Sequence, residues 1–132
     1  MTFDPDALQR LMCQHSCEQV AVECRPDGAL VVRTQFKFPD GDGYLSHVSQ
    51  APLGGLRLSD QGNTLMHISY KQDVDALLEG KRGMHLEQIM TEAGLQWDRG
   101  TFCLDATPDR LTEAVTCFGQ ALTRICDLTL LS

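Results

Sequence analysis

No run of apolar residues in this 132-residue sequence approaches the roughly 18 to 20 that a membrane-crossing helix requires. The stretch from Leu128 to Leu131 is short and interrupted by Thr129, so no membrane span is expected. A basic excess is missing too: 18 Asp and Glu stand against 11 Lys and Arg, a formal net charge of −7. That balance offers phosphate backbones no diffuse attraction, so direct nucleic-acid binding is not expected. It suits a partner with a basic surface instead. The N-terminus lacks the Lys or Arg that precede the apolar core of a secretory signal. Asp4 and Asp6 stand there, and a cytoplasmic location is the expectation.

Familiar chemical motifs are also wanting. The sequence has no Gly-x-Gly-x-x-Gly, Walker lysine loop, Gly-x-Ser-x-Gly or His-Glu-x-x-His, which leaves nucleotide, hydrolase and zinc-protease chemistry without support. Its six cysteines include no Cys-x-x-Cys pair, and Cys13, His15 and Cys17 alternate in a way that puts them on different faces of a helix. Free, reduced thiols are expected, with no metal and no cofactor. His15, His47, His67 and His85 are four possible bases without a local nucleophile motif, and His67, between Met66 and Ile68, reads as a packed or partly exposed helix residue rather than a catalyst. An enzyme is therefore less expected than a binding module.

What is present is an ordinary globular composition, 42% hydrophobic and 22% charged, sufficient for one core and one domain over residues 1–132. Asp4 and Pro5 read as a cap and first position for a helix over residues 5–16. Extended segments follow at 20–25, 30–34 continuing through Phe36 and Phe38, 44–49 and 56–59, separated by Pro/Asp/Gly turns, which predicts a four-stranded meander. Residues 65–78 show helical spacing with a break at 70–73, residues 80–83 read as a connector, and 84–93 as a helix closed by Gly94. A turn at 97–100 precedes a late strand at 101–105. Thr107 and Pro108 then open a long helix whose Leu111, Val115, Phe118, Leu122 and Ile125 form an apolar stripe. The expected class is α+β: an antiparallel meander sheet packed by the long C-terminal helix and by shorter N-terminal and central helices. Packing on the chain's own sheet is the main reading of the stripe, and a structural homodimer built through it is the alternative.

The acidic turns carry the candidate sites. Asp40 and Asp42 flank Gly41, and Asp60 lies in a later turn that opens at the same edge of a meander. Asp40, Asp42 and Asp60 are the expected contacts for a basic partner. The alternative is a magnesium site for phosphoester hydrolysis on the same three acids. An EF-hand is excluded, since Tyr44 and Leu45 occupy the fifth and sixth loop positions and Ala51 the twelfth.

Three stretches, Phe36-Lys-Phe-Pro-Asp-Gly-Asp42, Leu58-Ser-Asp-Gln-Gly-Asn-Thr-Leu65 and the run from Phe118 to Thr129, together give the chain its family likeness. It resembles the small bacterial and phage or prophage proteins grouped as domain of unknown function 1828. The resemblance brings no catalytic residues. It implies a mobile-element setting, in which small acidic proteins bind and block host defence enzymes, an anti-CRISPR role among them, and hence a non-enzymatic inhibitor or regulator.

Overall fold

Helix α1 (Pro5–Gln19) begins as Asp4 and Pro5 dictate. The Asp4 side chain accepts a hydrogen bond from the backbone N–H of Asp6 at 3.1 Å, and Pro5 occupies the first turn, where no intrahelical donor is needed. The computed structural model describes residues 4–131, apart from the side chains of Cys17 and Glu18. The first three residues of the leader reading and the Cys17 thiol thus lie outside the described residues. α1 runs three residues beyond its expected end and passes through Val20 straight into a strand.

The meander follows as β1 (Ala21–Cys24), β2 (Leu30–Lys37), β3 (Gly43–Gln50) and β4 (Leu56–Ser59). A helical excursion then runs through α2 (Asn63–Ser69), α3 (Val74–Leu77) and α4 (Gly80–Ala93). The chain returns as a hairpin of β5 (Gln96–Asp98) and β6 (Thr101–Ala106), and ends in α5 (Leu111–Asp127). The six strands form one antiparallel sheet in the order β1-β2-β3-β4-β6-β5, so the late strand does join the first sheet.

Register puts Leu30 and Val32 of β2, Val48 of β3, Leu58 of β4 and Leu104 of β6 on one face. α5 packs there, with α4 against α5. Phe118 and Ile125 are fully buried, Val115 and Leu122 nearly so, and Leu111 is half-buried. Each such side chain contributes about 1.5–3 kcal/mol by leaving water. The stripe is therefore consumed by the chain's own core, which removes it as a dimer surface. The opposite face mixes buried Val31 and Cys103 with charged cross-strand pairs, Glu23 with Arg33 at 3.2 Å and Arg57 with Asp105 at 2.7 Å.

Three local expectations need correction. Residues 80–83 form the first turn of α4 rather than a connector. A Cβ on Gly83 would sit within 2.4 Å of the Leu78 carbonyl oxygen, so the missing side chain lets α4 start directly beneath α3. Trp97 and Asp98 belong to β5, and the turn tightens to Arg99 and Gly100, both left-handed (φ 52° and 89°), as a two-residue hairpin demands. Thr107 makes no side-chain cap bond; its carbonyl accepts from the Arg110 N–H in a short 3₁₀ turn, Pro108–Arg110, ahead of α5. Among the described residues, no helix is long and apolar enough to cross a membrane.

Candidate functional site

The β2–β3 connection is a closed tip. The Phe38 N–H donates to the Asp42 carbonyl at 2.7 Å, the Gly41 N–H to the Phe38 carbonyl at 2.9 Å, and the Asp40 carboxylate accepts the Asp42 N–H at 3.0 Å. This Asx turn holds Asp40 and Asp42 side by side and exposed. Phe38 points back into the core, meeting Tyr44 edge to face at 4.4 Å between ring centres.

α2 delivers the third member. The sequence pattern reads His67 as a packed or partly exposed helix residue, and one side of its ring is packed, stacked on Phe38 at 3.9 Å. Its nitrogens, however, face the tip: Nδ1 lies 2.5 Å from an Asp40 oxygen and Nε2 3.9 Å from an Asp42 oxygen. One ligand atom from each of Asp40, Asp42 and His67 falls within 4.8 Å of the others. The Asp42 N–H holds the Asp40 carboxyl below its ordinary 3.8, against the opposing effect of desolvation, and the His67 hydrogen bond adds to the lowering. In the tautomer that donates Nδ1–H to Asp40, Nε2 presents its lone pair toward Asp42.

Two clefts meet at His67. One, of about 500 Å³, is lined by Arg33, Lys37, Asp42 and Asn63; the other, of about 420 Å³, by Asp40, Lys71, Cys126 and Thr129. The tip therefore presents acids outward with cations on either flank.

Asp60 does not join Asp40 and Asp42. It is 2% exposed, and its carboxylate accepts the backbone N–H groups of Gly62 at 2.9 Å, Phe102 at 2.9 Å and Thr64 at 3.3 Å. Its work is to tie the end of β4 to the start of α2 and to β6, and no oxygen faces a partner or a cation. The expected three-acid set is replaced by Asp40, Asp42 and His67. The signal in the sequence was present but indirect: His67 sits one residue before Ile68 in a short helix that starts at the same sheet end as the tip.

The cysteines offer no activated nucleophile among the described residues. Cys13, Cys24, Cys103, Cys117 and Cys126 are all unpaired thiols. Cys103 lies in a row with Ser59 and His47 across β6, β4 and β3, but burial pushes its thiol up, as it does that of Cys126.

The chain belongs to the family described as domain of unknown function DUF1828, which matches residues 34–125. That span contains Asp40, Asp42 and His67 and begins after α1 and β1. No curated protein and no solved structure matches the chain.

Proposed function

We propose that this member of the DUF1828 family is a non-enzymatic protein-binding module of phage or prophage type, an inhibitor or regulator of a host defence system that engages a basic surface on its target. The observation that carries the binding surface is the β2–β3 tip, which holds two exposed carboxylates side by side on a chain of net charge −7. Acids fixed before the encounter steer a basic partner and lose little freedom on contact. The phage setting and the defence target rest on the family resemblance. The test is capture of a host protein by the purified chain at low salt. Asp40→Lys with Asp42→Lys abolishes capture if the tip is the contact, and undiminished capture contradicts it.

One observation favours a second reading. The ligand atoms of Asp40, Asp42 and His67 lie close enough to share one divalent cation, and a metal held there would polarise a phosphate ester for hydrolysis. The imidazole shifts the preferred ion from magnesium toward manganese or zinc. Calorimetry decides: heat of manganese binding that disappears in Asp40→Ala supports this reading, and no heat in the unmodified chain rejects it.

A further inference from the structure

A free helix of about 15 residues is marginal in water, and helices in proteins draw most of their stability from packing an apolar face. α1 does not do so within its own chain. Of its described side chains only Ala7 is even half-buried, and Leu8, Leu11 and Met12, which share one face, are 42%, 50% and 71% exposed. Three turns on from Leu8 that face reaches Gln19, which lines an open groove of about 520 Å³. The groove is lined by Val22 and Val32, a cross-strand pair of β1 and β2, and by Leu111 and Val115 of α5. Val22, on the sheet's edge strand, is 62% exposed.

Charge and area indicate what covers this face. No residue lining the groove is charged, whereas both clefts at His67 carry charges of each sign. It is thus a face on which a second copy of a −7 chain can approach without like-charge contact. The accessible surface is 8788 Å² for a 14.6 kDa chain. A compact monomer of that mass exposes about 6,900 Å². The surplus, roughly 1,900 Å², exceeds the ~800 Å² that each partner buries in a standard interface. One chain also offers both halves of the contact, a projecting apolar stripe and an uncharged apolar groove, as a closed two-fold arrangement requires.

We infer that a second copy of this chain covers this face, each copy laying the Leu8, Leu11 and Met12 stripe of α1 into the other's groove in a two-fold dimer. The interface differs from the α5 stripe, which is buried within each chain, and leaves the acidic tip free.

Light scattering on the purified full chain tests it, together with the unfolding midpoint as a function of concentration. The expected result is twice the 14.6 kDa of one chain, with a midpoint that rises with concentration. Leu11→Asp with Met12→Asp, both at exposed positions, halves the mass and removes the concentration dependence while the near-ultraviolet signal of Trp97 persists. Thr116→Arg, an exposed position in the groove on α5, does the same from the other side. A single-chain mass and a concentration-independent midpoint throughout the micromolar range overturn the inference. So does a dimer that survives both sets of substitutions.

Discussion

Asp40 and Asp60 carry the same carboxyl group into opposite surroundings, and the difference sets what each does. Asp40 stands exposed at the hairpin tip against His67, available to a ligand. Asp60 is enclosed, and the N–H groups of Phe102 and Thr64 that it accepts are themselves buried. Removing it leaves those donors without acceptors, a cost of about 1–3 kcal/mol for each. Asp60→Ala therefore unfolds at markedly lower denaturant than the unmodified chain, whereas Asp40→Ala unfolds close to it; equal midpoints contradict the structural role of Asp60. The sequence reading placed both acids at one end of the sheet, and strand direction agrees, since the β2–β3 tip and the end of β4 share that end. Which way each side chain turns was not legible. An Asp within two residues of a Gly reads as a turn residue in both places, Asp40-Gly41 and Asp60-Gln61-Gly62, and only the later arrival of β6 gives Asp60 the Phe102 N–H that draws it inward.

At the scale of elements, α5 shows how far periodicity reaches. The spacing of Leu111, Val115, Phe118, Leu122 and Ile125 marked the face, and the sheet supplied its partner. Gly119 sits inside that helix, where glycine costs about 1 kcal/mol against alanine. The reason is close approach: a Cβ there would lie 2.3 Å from the ring of Phe36 on β2, and Phe36 is half-buried against the core. Gly119→Ala accordingly destabilises the chain by about 1–3 kcal/mol despite the gain in helix propensity, as thermal or chemical denaturation will show. A stabilised variant contradicts this packing. Elements without such a pattern were harder to see. β5 is three exposed residues and exists because the Arg99-Gly100 turn folds it onto β6. The first turn of α4 contains two glycines that read as breakers, and packing beneath α3 overrides that preference. Conversely, α1 was read correctly from its cap and spacing, yet the sequence could not say that its apolar face lies outside the chain's own core.

Over the whole molecule the two proposed surfaces are separate. β1 pairs with β2 only from Leu30 to Arg33, while the acidic tip lies beyond Lys37 at the other end of that strand. The family match covers the tip and His67 but starts after α1 and β1, so the partner surface falls inside the shared domain, whereas the self-association surface is divided: the α1 stripe, Val22 and Val32 lie outside it, and Leu111, Val115 and Thr116 inside. Each is tested without disturbing the other: a monomeric Leu11→Asp, Met12→Asp chain keeps its tip, and a charge-reversed tip keeps its dimer. A basic target also makes association salt-dependent, since exposed charges farther apart than about 8–10 Å are screened at physiological ionic strength. The measurement that bears most directly on the account is binding of the captured host protein to the unmodified chain and to Asp40→Lys, Asp42→Lys, compared across salt concentration. The expected result is tight binding that weakens as salt rises and is lost on charge reversal. Binding that is indifferent to both salt and reversal, or no captured protein at low salt, contradicts it.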